Sequence, residues 1–472
     1  MTQREALNIL KLGFSTFLTG PAGSGKTFLL NKYIEYLKTN KIQVGVTAST
    51  GIASTHINGR TIHSWSGLKV IEKPLTRKDI DKKIKHLFYN EDLIALYKDT
   101  KVLIIDEISM LDAEYLDLIN TACQAFRQSL VPFGGIQLVL CGDFFQLPPV
   151  STEIRQTEYA FKAKSWRESN FKICYLDKQP RYIDDKFVEV LNDIRHSKVN
   201  ERTIAVLKSR INQSVHGSVR PTRLYTKNIV VDSYNNIELD NLSTREQIFT
   251  MCTYYKEKEH RYLRDHLVKH CMAPYHLALK VGAVVMFVKN NFDDSGVNFY
   301  VNGTMGKVVS FVEEEELIYP VVEVNDGRKI IARHQSWSFE EPGEDGRDEV
   351  VASITQIPLR LAWAITVHKS QGLSMDEVVT DLSGAFEYGM GYVALSRVRS
   401  LGGLCLLGLN RKALEVNPEI SELDDDFKKK SEINLSVLKE MEVNELKERQ
   451  KNFVDRNGVN MDSDLLDMVL NN

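Results

Sequence analysis

The sequence is short of several things, and each shortage removes a class of protein. No apolar run among the 472 residues is long enough to cross a bilayer as a helix, so a helical membrane protein is excluded. The six cysteines include no C-x-x-C spacing, which points to a reducing compartment rather than a disulfide scaffold. Neither sign of charge dominates. Sixty Lys and Arg against 63 Asp and Glu leave a net charge of −3, so nucleic acid would have to be held in a local basic groove. Internal repeats are absent. The opening "MTQREALNIL" has neither the apolar core of a signal peptide nor the bias of a transit peptide, so an interior location is expected. What remains is a globular composition, 43% hydrophobic and 26% charged, in a chain too long for one core; two to four structural units are expected.

The informative stretch comes early. "GPAGSGKT", Gly20 to Thr27, fits G-x-x-x-x-G-K-[ST]. "STFLT" before it reads as a short buried strand. "KTFLLNKYIEYLK" after it reads as a helix with Leu29, Leu30, Tyr33, Ile34 and Leu37 on one face. Strand, glycine turn and helix form the context in which Gly20, Pro21, Ala22, Gly23, Ser24 and Gly25 bring backbone amides to phosphates. Lys26 would hold the β- and γ-phosphates of ATP, and Thr27 would ligate Mg2+.

Two more apolar strands end in polar groups. "KVLIIDEISML" ends its strand at Asp106, a metal-binding carboxylate, and Glu107, placed to polarise an attacking water. "IQLVLCGDFFQLPPV" ends at Gly142-Asp143 and presents Gln146 before the stiff Pro148-Pro149 exit. A rigidly placed amide beside a γ-phosphate can report which nucleotide is bound. Further along, "WAITVHKSQGLSMDEVVTDL" is a polar run between two apolar strands, and "YVALSRVRSLGGLCLLGL" sets Arg397 and Arg399 before a buried strand.

Taken with "VTASTGIASTHINGRTIHSWSGL", these segments resemble the Pif-type (petite integration frequency) helicases of superfamily 1B and their RecD-like relatives. The resemblance runs from Gln3 to about Glu415, with the motifs in the family's order. It implies an α/β fold of two tandem RecA-like P-loop NTPase domains. The first would cover 1–182, with a wedge insertion at about 66–100. The second would cover 183–425, with an SH3-like β-barrel inserted at about 280–357, leaving 426–472 as a polar helical tail. The resemblance assigns adenine reading to Gln3, γ-phosphate contact to Arg181, the arginine finger to Arg397 and further nucleotide contacts to Gln371 and Gly372. Where the family has Phe-Arg-Gln, this chain has Pro180-Arg181-Tyr182. Single-stranded DNA is assigned to Thr50, Gly51, His63, Ser64 and Trp65, and to Thr366, His368, Lys369 and Ser370, with His63 or Trp65 stacking on a base.

The implied activity is ATP-dependent 5′-to-3′ translocation and unwinding by a monomer, with ATP and Mg2+, on single-stranded and forked DNA. G-quadruplex DNA is a further substrate in this reading, and repair, recombination or telomere maintenance are the pathways implied. The site of action is the nucleoid in a bacterium or phage and the nucleus in a eukaryote. A DNA-stimulated ATPase that remodels nucleoprotein and an RNA helicase stay open as alternatives.

Three lesser readings complete the chain. Short alternating strands at 282–290, 303–316 and 321–331 suit the barrel, with Asp326-Gly327 as a hairpin turn and Glu313 to Glu316 as a solvated one. Cys252, His260, His266, His270, Cys271 and His276 lack a recognised zinc spacing and read as a helix with solvated histidines. From about Asp424 the chain reads as a peripheral or partner-docking helix with a weak stripe of Leu435, Leu438, Met441, Val443 and Leu446.

Overall fold

A computed structural model of the chain describes residues 1–68, 71, 74–151, 155–182, 184–213, 215, 221–289, 291–292, 298–300, 303–324, 327–342 and 348–458. These fall into two compact units. One comprises 1–214, 371–376 and 382–472; the other comprises 215–370 and 377–381.

The first unit is built on six strands: β1 (Thr16–Thr19), β2 (Val44–Ala48), β3 (Arg60–Thr61), β4 (Val102–Asp106), β5 (Gln137–Cys141) and β6 (Lys172–Tyr175). Their order is β3-β2-β4-β5-β1-β6, and the registered pairs are parallel. Every residue of β1, β4 and β5 is buried, which is why these segments read as unbroken apolar runs instead of alternating ones. Helices such as Lys26–Thr39 and Ala113–Arg127 supply the covering faces, with Leu29, Leu30, Tyr33, Ile34 and Leu37 of the former all buried. The carboxyl ends of the three central strands therefore converge where an open parallel sheet binds its ligand.

The C-terminal region differs from expectation. Helix Pro418–Glu440 packs on β6: the Tyr175 amide donates to Ser431 Oγ at 3.0 Å, and the Asn434 side chain donates to the Ile173 carbonyl at 3.1 Å. Phe427 lies 5.0 Å, centroid to centroid, from Phe17 of β1. The buried positions are Ile420, Asp424, Phe427, Ser431 and Leu438, so two of the five inward groups are polar. A stripe sought among apolar residues alone misses them. Helix Val443–Asn457 follows, and its Phe453 ring fills the space a side chain at Gly13 would need.

In the second unit, strand Thr222–Tyr225 pairs in parallel with Ala364–Thr366 and with Val378–Leu382. A five-stranded antiparallel sheet runs in the order Lys329–Ile331, Leu317–Val324, Met305–Glu314, Val284–Phe287, Leu359–Leu361. Val285, Phe287, Val308, Val322, Ile330 and Leu359 close its core at 0% exposure, as the small barrel requires. Glu315 and Glu316 make its tight turn at φ 49° and 65°. The Asp326 turn and the His266 and His270 side chains lie outside the described residues.

Candidate nucleotide and single-strand sites

The loop after β1 is shaped by its glycines. Gly23 and Gly25 sit at φ 80° and 84°, in the left-handed region that costs other residues strain. A Cβ on Gly23 would also meet the Tyr182 ring at 2.7 Å. Lys26 Nζ folds back onto the loop carbonyls of Gly20 (2.8 Å) and Pro21 (3.1 Å), around the space where phosphate oxygens would compete for it. The amide of Gln3 donates to the Ser24 carbonyl at 3.2 Å, so the N-terminal helix Gln3–Lys11 is tied to the loop. Gln179 Nε2 reaches the Ala22 carbonyl at 3.0 Å, and the Ala22 amide donates to Tyr392 Oη at 2.9 Å.

Asp106 closes β4 at 4% exposure. Burial, reinforced by neighbouring Glu107, raises its carboxyl to about 7. A divalent cation would reverse that shift, since it favours the charged form. Glu107 sits at φ 53°, ψ 44°, an unusual conformation for a residue with a Cβ. Its amide donates to Asp106 Oδ1 at 2.8 Å, and its carbonyl accepts from Ser49 Oγ at 2.7 Å. Strain that is over-determined in this way aims the Glu107 carboxylate. Gln371 then donates to Glu107 Oε2 at 2.9 Å, which places it on the carboxylate, a contact no motif spacing specified. Gly372 lies near the His56 ring and Glu107 as well. Gln146, 4% exposed, has a buried Oε1 with no hydrogen-bond partner among the described residues.

Arg397 is 2% exposed. Its guanidinium donates to the carbonyls of Val393 (2.9 Å) and Leu373 (3.1 Å) and to Ser396 Oγ (2.8 Å). Burial, and then the like charge of Arg181, lower its pKa. Tyr182, in place of the family's glutamine, donates to the Ser396 carbonyl at 3.1 Å and packs on Gly23. The residues thus fit a polyphosphate with a divalent cation. An ammonium and two mutually repelling guanidinium groups would be relieved by an anion, and Thr27 and Asp106 stand at the loop and strand ends.

The proposed DNA groups are unequal. Thr50 and Gly51 are half-buried, and Ser64 is exposed in the middle of the short helix Ile62–Ser66. The His63 ring packs 4.4 Å from Tyr115. Trp65 is 0% exposed and packs 4.9 Å from Tyr97 and tightly on Gly45, so the expected base-stacking face is turned into the core. In the second unit Ser370 is also buried and donates to the Val367 carbonyl at 2.7 Å, while Thr366 Oγ1 accepts the Lys369 amide at 3.4 Å. Lys369 is half-buried, with Arg360 as a like-charged neighbour. Burial, and then neighbouring Arg360, push its ammonium down to about 8, and a phosphate would restore it. Arg360, Tyr392 and Gln179 were not singled out by motif; each is an ordinary residue until a distant partner is known.

Comparison with known proteins identifies relatives of the whole chain. Residues 3–205 match the PIF1-like helicase family. The chain is 40% identical, over 97% of its length and 75% of the relative's, to the ATP-dependent DNA helicase Pif1 of Psychrobacter sp. (strain PRwf-1). The crystal structure of Pif1 helicase from Candida albicans superposes with a TM-score of 0.81 at 34% identity, covering 90% of this chain and 98% of that one. Pif1 helicase from Bacteroides in complex with ADP-AlF3 and single-stranded DNA gives a TM-score of 0.72 at 31% identity, covering 92% and 97%.

Proposed function

The chain belongs to the PIF1-like helicase family, and from that premise we propose an ATP-dependent DNA helicase that moves 5′ to 3′ along single-stranded DNA and opens duplexes ahead of it. The observation that carries the reading is the gathering of Lys26, Asp106, Glu107, Gln146, Gln371, Arg181 and Arg397 within one compact unit.

In this reading the loop amides and Lys26 bind the β- and γ-phosphates and withdraw charge from them. Thr27 and Asp106 are the residues that would hold Mg2+, which would supply charge neutralisation at the phosphates. Glu107, aimed by its backbone strain and by Gln371, takes the proton of the water that attacks the γ-phosphorus. Arg181 and Arg397 stabilise the equatorial oxygens. Gln146 supplies the amide that distinguishes ATP from ADP. Gln3 reads the base. His368, Lys369, Thr50, Gly51 and Ser64 grip the phosphates of the strand without reading sequence. The protein works as a monomer on forked as well as tailed DNA, G-quadruplexes included, in nucleoid or nucleus according to its source.

The test is strand displacement. A duplex with a 5′ single-stranded tail is expected to open with ATP, and one with only a 3′ tail is not. Opening of the 3′-tailed duplex alone would refute the polarity. Opening of tailed RNA but not DNA would favour an RNA helicase, and ATP turnover without opening of either would favour nucleoprotein remodelling. Binding to single strands is also expected to be salt-dependent despite the net charge of −3. With about six phosphates neutralised, log K falls against log salt with a slope of about −4, measurable by fluorescence anisotropy. A flat response would show that stacking, not phosphate contact, holds the strand.

A further inference from the structure

One buried polar chain is not used by the mechanism above. Arg195, at the end of helix Asp185–Arg195, is 1% exposed. Its Nη2 lies 3.2 Å from Asp143 Oδ1 and 3.1 Å from Asp424 Oδ1, and its Nη1 donates to Tyr175 Oη at 2.7 Å. The guanidinium stacks over Phe145, 4.2 Å from the ring centroid. Asp143, the strand-exit acid of "GDFFQ", is 0% exposed, and its other oxygen accepts from Tyr392 Oη at 3.2 Å. That hydroxyl accepts the Ala22 amide of the phosphate loop at 2.9 Å. Burial, and the Asp143 carboxylate beside it, raise the Tyr392 phenol well above its ordinary value, so it stays a donor.

We infer that Asp424, Arg195, Asp143 and Tyr392 form a positioning relay that sets the phosphate loop for ATP, making the C-terminal helix Pro418–Glu440 a working part of the nucleotide site. The inference rests on the reading of Gly20 to Thr27 as that site. Three features support it. The relay is continuous, each link being within hydrogen-bond distance. It ends on a backbone amide of the loop, where a shift of a few tenths of an ångström changes every phosphate contact. It is also buried throughout, so water cannot substitute for a lost member and the links are interdependent. Among the described residues Asp424 bonds Arg195, Tyr175 and Lys428 and not the loop itself, so it acts on the loop through other residues. Arg195 engages both Asp424 oxygens, Nη2 to Oδ1 at 3.1 Å and Nη1 to Oδ2 at 3.3 Å, and Oδ2 also meets Lys428 at 2.7 Å and accepts from Tyr175 Oη at 3.1 Å.

The experiment measures DNA-stimulated ATP turnover and thermal stability of the full chain. Tyr392→Phe removes one hydroxyl and keeps the ring; KM for ATP is expected to rise about fivefold to tenfold, with kcat within about twofold. Asp424→Asn is expected to raise KM about threefold. The double variant is expected to match Tyr392→Phe alone, because a broken chain cannot be broken twice. Ser431→Ala removes a contact of the same helix outside the relay, and is expected to lower Tm while leaving KM unchanged. Multiplicative KM effects in the double variant, an unchanged KM in Tyr392→Phe, or a KM rise in Ser431→Ala equal to that of Asp424→Asn would each overturn the relay. Absence of ATP turnover in the unmodified protein would overturn the relay and the nucleotide-site reading together.

Discussion

Lys26→Ala is expected to reduce ATP turnover by at least about 10³-fold, the upper range for loss of one electrostatic donor, while single-strand affinity stays within about twofold. Among the described residues, Lys26 donates to the Gly20 and Pro21 carbonyls of its own loop. The loop is also held by Gln3, Gln179 and Tyr392 through separate bonds, so its shape survives the substitution. The groups proposed to hold DNA are other residues. Steady-state ATPase with anisotropy on a labelled oligonucleotide checks both halves, and circular dichroism confirms folding. An equal loss of DNA affinity in a folded variant would show that the loop and the strand grip are one site.

The second large effect is expected at Arg397. Arg397→Ala is expected to lower kcat by about 10³-fold, the low end for an arginine finger, because Arg181 and Lys26 remain. KM is expected to change by less than about fivefold, since the interaction belongs to transition-state charge. The structure adds a requirement that sequence alone did not. Arg397 is buried and its guanidinium holds the Val393 and Leu373 carbonyls, so truncation also leaves buried acceptors unpaired. Arg397→Lys is the companion variant. It keeps a cation and loses the fork, and its kcat is expected to stay well below that of the unmodified protein. A change confined to KM in both would remove Arg397 from the catalytic groups.

Much of the candidate nucleotide site was legible because its residues are grouped locally in the sequence. "GPAGSGKT" follows a wholly buried strand and "LIIDE" and "CGDFFQ" run out of the ends of two more, and a parallel sheet brings such strand ends together whatever lies between them. The strand-binding side was less legible. "TIHSW" and "VHKS" list groups that can face phosphate, but a list of groups does not say which are turned inward. Trp65 and Ser370 are buried, whereas Ser64 is exposed. The C-terminal helix was the least legible. Its inward stripe includes Asp424 and Ser431, and hydrophobic periodicity discounts polar residues even when a buried arginine or a strand amide awaits them.

By itself, then, the sequence determined the reaction class and the order of the elements proposed to carry it, since the motifs for a phosphate loop, a metal carboxylate and a general base consist of residue types within a few positions. Only the tertiary structure decided which partners those residues have. Gln371 meets Glu107 across 264 positions, Tyr392 meets Ala22 across 370, and Arg195 meets Asp424 across 229. Such pairs depend on burial and on geometry within a fraction of an ångström, and spacing along the chain carries neither.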